Sequence, residues 1–180
     1  MVDGLILDVG CGSHPNKYAN VYVDMFPWDN AQRSGQRIKK FPKMFVAANV
    51  EALPFKDKAF DFSYCTHLME HVERPEEALD ELERVARGGY IAAPHLYYEF
   101  SFGKKFHRWF FFIKGGRVVM LEKNKRKGEY SPFGRVLRET LLKGTTYKKL
   151  RKAKLIESGQ NWEGRLPYVV VYNDGTFYYN

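Results

Sequence analysis

The sequence predicts an α/β fold, a mostly parallel sheet with a basic, aromatic hairpin and helix insertion after the fifth strand. Three observations predict it. In the first half of the chain short apolar runs alternate with polar, helix-compatible stretches, the signature of βα repeats. The first run, Leu5-Ile-Leu-Asp-Val9, ends in Gly10-Cys-Gly12. A buried strand that stops at a glycine turn opens a crevice at the carboxyl edge of a parallel sheet, where open α/β folds bind nucleotide-like ligands. In the second half the texture changes to clustered aromatics and basic residues.

Taken in order, Gly4–Val9 reads as the first strand, Val21–Asp24 as the second and Met44–Ala47 as the third. Phe60–Cys65 and Gly89–Ala93 read as the fourth and fifth. Between these last two, Pro75 suits the first turn of a helix, and Glu76 and Glu77 sit where the helix dipole favours acids. Ala78, Leu79, Leu82, Val85 and Ala86 give its buried stripe at helical spacing. Gly88-Gly89 is expected to end that helix. Arg108–Lys114 and Arg117–Lys123 flank Gly115-Gly116 and read as a β-hairpin with a primed turn. After the charged loop Lys123–Lys127, Pro132 marks the start of a helix through Val136, Leu137, Leu141 and Leu142, and Thr145–Lys154 reads as a second, basic helix. Tyr168–Tyr172 reads as a closing strand, followed by a turn at Asn173-Asp-Gly175.

A chain of 180 residues fits a single domain with a sizeable core. The expected organisation is a cofactor-binding core over 1–96, a substrate-covering insertion over 97–160, and a closing strand and tail over 161–180. No run reaches the roughly 18 to 20 apolar residues needed to cross a bilayer. The start lacks the basic-then-apolar layout of a signal peptide. Cys11 and Cys65 do not form a disulfide framework; each ends a predicted strand, and a cytoplasmic location with reduced thiols is expected. The net charge of +8 is unevenly placed: residues 104–154 hold 17 Lys/Arg against 3 Asp/Glu, a balance of +14.

Gly-x-Gly after a strand is common and, alone, is equally compatible with a purely structural turn. The residues that follow it in order narrow the reading. Asp24 closes the second strand, where an acid can accept two hydrogen bonds from ribose hydroxyls. Asn49, Val50 and Glu51 follow the third strand, placed to read an adenine edge. Cys65-Thr-His67 and Glu70-His-Val72 follow the fourth.

Residues 5–94 resemble the core of a class I S-adenosylmethionine (SAM)-dependent methyltransferase of the broad small-molecule branch, a Rossmann-like fold. LDVGCG resembles that family's first motif and VYVD its second. NVEALPFKDKAFDFSYCTHLMEHV resembles the run from the adenine site into the fourth strand, and ALDELERVARGGYIAAPH the helix and fifth strand beyond. The resemblance implies SAM as cofactor. Asp8 and the main chain of Gly10, Cys11 and Gly12 would hold its amino-acid moiety. Asp24 would take the ribose hydroxyls and Met25 would pack on the adenine. Asn49 stands where the family usually has an acid, with Val50 beside it. Thr66 and His67 would line the methyl-transfer pocket.

Two departures from the family stand out. Ser13-His-Pro15 replaces the usual third glycine, and only sixteen residues separate Asp8 from Asp24. The first connection is therefore expected to be a loop with at most one helical turn. The chain as given also begins almost at the first strand, so the substrate cover is expected from 97–160. The implied reaction is an in-line displacement at a sulfonium methyl, in which the protein mainly positions the acceptor and excludes water. An oxygen or amine acceptor calls for a general base, and His67, His71 and His95 are the candidates. His14 reads as a loop residue beside the cofactor. Nothing in the sequence resembles a Cys/His zinc cluster, so no metal is expected.

Phe100, Phe102, Phe106, Trp109 and Phe110-Phe-Phe112 lie among Lys104, Lys105, His107 and Arg108. The functional readings of this stretch are RNA contact, through phosphates and stacked bases, or contact with a membrane surface or lipid-linked acceptor. The plainer reading is that alternate hairpin aromatics pack on the sheet while the cations are solvated. Scattered likenesses, PHLYYEF, FHRWFFF, SPFG and NWEG, resemble methyltransferases of surface-glycan assembly and tilt the acceptor toward a small molecule or a glycan/lipid-linked one. The alternatives are an RNA methyltransferase using the basic 104–154 segment and a non-catalytic SAM-binding module. Cys65-Thr-His67, in place of an Asn/Asp-Pro-Pro-Tyr-like motif, weighs against the amino-methylating RNA enzymes. A nicotinamide dehydrogenase would want a third glycine opening a full helix.

Overall fold

A computed structural model describes residues 4–29, 44–104, 106–123 and 156–180. In chain order the elements are β1 (Ile6–Val9), β2 (Val21–Asp24), β3 (Met44–Ala47), β4 (Phe62–Thr66), α1 (Pro75–Val85), β5 (Gly88–Pro94) and α2 (Leu96–Phe102). They are followed by β6 (Trp109–Lys114), β7 (Arg117–Glu122), β8 (Glu157–Glu163), β9 (Tyr168–Val171) and β10 (Phe177–Tyr179). The main sheet has the order β3-β2-β1-β4-β5-β8. Its first five strands are parallel and β8 runs antiparallel to β5. This is the mixed α/β, Rossmann-like architecture the βα alternation predicts.

The parallel strands form where the sequence is apolar throughout, because both faces of such a strand are covered. All four residues of β1 are buried, and Leu7 and Val9 face one core while Ile6 joins Cys11, Ala19 and Tyr22 on the opposite face. Helix α1 buries Pro75, Ala78, Leu79, Leu82 and Val85 against the first of these cores. Its acids Glu76 and Glu77 occupy the first turn as expected. Gly88-Gly89 does not end the helix: the C-cap is Ala86, and both glycines already belong to β5. They are small for packing reasons, since a Cβ on Gly89 would lie 2.5 Å from the Ser63 carbonyl oxygen and 2.8 Å from Trp162 Nε1.

The connection from β1 to β2 has no helix, in line with the crowded Ser13-His-Pro15 exit. The predicted hairpin is present, with Gly115 and Gly116 both at positive φ. It belongs to a second sheet, β10-β9-β7-β6, in which β7 and β9 are parallel. Trp109 and Phe111 on one face of β6 are buried, whereas Phe110 and Phe112 are half-buried, so the alternate aromatics serve the core. Trp109, Phe111, Val118, Met120, Tyr168 and Val170 share one cluster with the α1 stripe. Polar bonds fasten the same contact: Tyr168 Oη donates to Asp80 (3.0 Å), and Tyr172 Oη donates to Glu76 (2.9 Å).

Two assignments change. Tyr168–Val171 is a strand, but it lies inside the second sheet, between β7 and β10; the main sheet is closed by β8, whose ladder crosses the 160 boundary expected between insertion and tail. The polar run Glu157-Ser-Gly-Gln-Asn-Trp-Glu163 hides this strand because β8 lies at the sheet's edge and buries only Trp162. Gly159 is needed there, since a Cβ would lie 2.8 Å from the Ile91 carbonyl oxygen. Helix α2 and β10 are also absent from the sequence reading. The predicted helices over 132–142 and 145–154, and most of the basic 104–154 segment, lie outside the described residues.

Candidate functional site

The main sheet changes direction between β1 and β4: the chain runs outward to β2 and β3 on one side, then to β4 and β5 on the other. Such a switch point leaves a crevice beyond the carboxyl ends of the strands. A cavity of about 910 Å3 lies there, within the range of small-molecule sites.

One wall is made by the strand ends β1 to β3. Gly10 and Gly12 adopt φ values of +71° and +49°, which only glycine takes at little cost. A Cβ on Gly10 would also lie 2.8 Å from the Leu68 side chain. Gly10 and Cys11 N–H groups both donate to the Val23 carbonyl (2.8 and 3.1 Å), tying the loop to β2. Asp24 accepts from Gly12 N–H (3.1 Å) and Phe26 N–H (3.0 Å), so its carboxylate is aimed by the loops on either side. Asp8 is buried and accepts from Asn16 N–H (2.7 Å). Burial pushes its carboxyl up to about 6, with Asp24 adding to the effect and the Asn16 N–H opposing it. Asn49 Oδ1 accepts from Glu51 N–H (3.1 Å), and Met25 stands half-exposed at the lip.

The other wall is the turn after β4 and the segment leading into β6. His67 holds φ +56°, a strained value for a non-glycine residue and of the kind that gathers at ligand sites. Its Nε2 meets Glu157 Oε2 at 3.0 Å, and its Nδ1 lies 3.7 Å from Glu70 Oε1. Glu157 and then Glu70 raise its pKa to about 9, so His67 is an imidazolium at neutral pH. Two bonds clamp the turn onto the second sheet: Arg108 N–H donates to the Glu70 carbonyl (2.7 Å), and Trp109 Nε1–H donates to the Val72 carbonyl (2.8 Å). The clamp seats His107 against His71, their rings 4.7 Å apart and edge-on. Behind His107, Glu99 Oε2 pairs with its Nδ1 (2.7 Å) while Glu99 Oε1 accepts from Lys123 Nζ (2.6 Å).

Asp8, Gly10, Cys11, Gly12, Asp24, Met25, Asn49, Val50, Thr66, His67 and His71 all line this one cavity, together with His14. Glu51 lines it too, but its carboxylate accepts from the Glu73 and Arg74 main-chain N–H groups (2.7 and 3.1 Å) and so anchors the turn. His95 is the exception. It is the N-cap of α2, its Nδ1 accepting from Tyr97 N–H at 3.2 Å, and it is not among the lining residues. Burial pushes the Cys11 and Cys65 thiols up, so both stay protonated and neither is a thiolate nucleophile. Glu70, Lys104, Phe106, His107 and Arg108 also line it. Sequence reading misses the convergence of Glu70, His107, Glu99 and Lys123, which are scattered over more than fifty positions; the adjacent Glu70-His71 pair is its only local trace.

Residues 7–93 match the family described as a methyltransferase domain, and this match implies S-adenosylmethionine as the domain's cofactor. Over 92 residues, 47% of the chain, the sequence is 32% identical to an uncharacterized protein of Methanocaldococcus jannaschii. It is 34% identical over the same length to an uncharacterized methyltransferase of Mycobacterium tuberculosis. The matched stretch spans 37% and 35% of those two proteins. Among solved structures, a Pyrococcus horikoshii protein aligns with 89% of the chain and 81% of its own length, at 15% identity and a TM-score of 0.45.

Proposed function

We propose that this chain binds SAM in the crevice and transfers its methyl group to a small-molecule or glycan/lipid-linked acceptor. The observation that supports this most strongly is the lining itself. Asp8, the Gly10–Gly12 main chain, Asp24 and Asn49 share one wall, within a stretch that matches a methyltransferase domain. The cavity suits the cofactor's chemistry: the glycine loop admits close approach of an amino-acid moiety, and Asp24 offers a carboxylate at the end of β2 for vicinal hydroxyls.

Bound there, SAM supplies an already activated sulfonium methyl. The chain's own part is to hold the acceptor in line and keep water out. In this reading 1–96 is the cofactor core and residues of 97–160 cover the acceptor. Helix α2 supports that role, carrying the exposed Tyr97 and Phe100 beside Tyr98, which lines the crevice. Aromatic faces of this kind suit sugar rings and lipid headgroups. His67, as an imidazolium, is a fixed cation facing the crevice, and His95 caps a helix, so of the three base candidates His71 alone remains at the site. Among the described residues no helix is long and apolar enough to cross a membrane.

Calorimetry tests the cofactor assignment. The native chain is expected to bind SAM and S-adenosylhomocysteine saturably, and Asp24→Ala to bind both about 100-fold more weakly. Absence of binding by the native protein would overturn the reading. Formation of S-adenosylhomocysteine with a pool of glycan or small hydroxylated acceptors separates an enzyme from a SAM-binding module.

A further inference from the structure

The acceptor side of the crevice holds a cluster of which methyl transfer as described uses only His71, as the remaining base candidate. Glu70 is 2% exposed and His107 7%, and each, with His71, offers one ligand atom within 4.8 Å of the others. We infer that Glu70, His71 and His107 form a binding site for a divalent first-row transition ion.

Two features separate this cluster from an ordinary buried polar network. The first is that its hydrogen bonds are not closed. Glu70 Oε1 lies 3.7 Å from His67 Nδ1 and 3.8 Å from His71 Nε2, too far for hydrogen bonds. Glu70 Oε2 and His71 Nδ1 are buried and have no partner among the described residues. Buried polar atoms are rarely left so, and two of them in one cluster facing a cavity point to a ligand. The second is the support behind His107. Glu99, itself 3% exposed, holds His107 Nδ1 and is held in turn by Lys123. A carboxylate can only accept, so that contact calls for a proton on Nδ1 and leaves Nε2 as the nitrogen available to a ligand. A carboxylate behind the far nitrogen is how metal-binding imidazoles are oriented and made more basic.

Two imidazoles and one carboxylate suit zinc, manganese, iron or cobalt, and suit calcium or magnesium poorly. The present spacing is wider than the ~3.4 Å edges of a tetrahedral shell with ~2.1 Å bonds, so small side-chain rotations would close it. Three protein ligands leave open positions facing the cavity, as in catalytic rather than structural metal sites. If the methyl-transfer reading holds, on which this consequence alone rests, the ion selects a hydroxyl acceptor. It lowers the pKa of the bound hydroxyl, whose proton passes to solvent. The oxygen then forms its bond to the methyl carbon, and the carbon–sulfur bond breaks with its electron pair returning to sulfur. His71, as a ligand, is then no general base.

The test needs neither SAM nor acceptor. The chelator-treated full chain is titrated with Zn2+ by calorimetry and with Co2+ by visible absorption. One equivalent is expected to bind, and Co2+ is expected to show the intensified d–d bands of nitrogen coordination. His107→Ala should weaken binding ~100-fold or more, and Glu99→Gln ~10- to 100-fold through the second nitrogen. Far-UV circular dichroism and thermal melting report whether each variant is folded. Should His107→Ala fail to fold, the native Co2+ spectrum decides by itself. No saturable binding, a Co2+ spectrum unchanged from the hydrated ion, or equal affinity in a folded His107→Ala would overturn the site. If ions bind but SAM does not, the site stands and the methyl-transfer reading falls.

Discussion

The two walls of the crevice are built in opposite ways. The wall from β1 to β3 uses short contiguous stretches, Asp8–Gly12, Asp24–Met25 and Asn49–Glu51, each placed by the strand it terminates. The facing wall draws on residues 67–73, 99, 107–109, 123 and 157, brought together by the antiparallel strand β8 and by a second sheet docking against α1. The first wall is acids and main chain; the second is imidazoles and carboxylates in mutual contact. Local construction makes a site that parallel strands alone can hold. Dispersed construction makes chemistry that exists only once two sheets have met.

Substitutions can separate the two walls. Trp109→Ala attacks the dispersed wall at its clamp, removing a ring that is 1% exposed and the bond to the Val72 carbonyl. It should cost about 3–5 kcal/mol of stability in a denaturant titration. A loss below about 1 kcal/mol would mean the second sheet does not carry the turn. Asp24→Ala attacks the local wall and should lower SAM affinity by about 100-fold, the equivalent of two charge-assisted hydrogen bonds, while leaving the fold in place.

A pH titration sharpens the contrast further. Asp8 has a carboxyl raised from 3.8 to about 6, so it is an anion only above that pH. If it receives the cationic amino group of SAM, affinity should fall about tenfold from pH 7 to pH 5, since only about a tenth of Asp8 remains ionised one unit below its pKa. Asp8→Asn should flatten that profile. The same shift makes ionised Asp8 a burden on the fold: stability contributed by its protonated form is present below about pH 4 and lost as pH rises through 6. The smallest effect belongs to the hairpin. Gly116 is at φ +74° with open space around its Cα, so Gly116→Ala should cost about 1 kcal/mol from backbone conformation alone.

The parallel strands and α1 were legible because each is a contiguous apolar run or a stripe at one period. Val21–Asp24 and Met44–Ala47 coincide with the predicted strands residue for residue. The convergence of Asp8–Gly12, Asp24 and Asn49 on one wall of the cavity was legible for the same reason, since a motif at a strand end needs only that strand. Strand β8 was not, because an edge strand with one buried Trp has no apolar alternation to read. His95 stands outside the cavity lining because proximity to a strand end says nothing about where a ring points; its Nδ1 takes the Tyr97 N–H. The expectation of no metal came from ligand spacing along the chain, where His107 lies far from Glu70-His71.

By itself, then, the sequence determined the parallel sheet, the glycine crevice and the acids that line one wall of it. Burial and period are properties of single segments, and single segments set them. The tertiary structure alone decided which imidazoles face the cavity, that Glu157 and Glu70 raise the pKa of His67, and that Glu99 holds Nδ1 of His107. Ionisation and ligand geometry depend on neighbours a few ångströms away, and here those neighbours come from sequence positions as distant as 67 and 157.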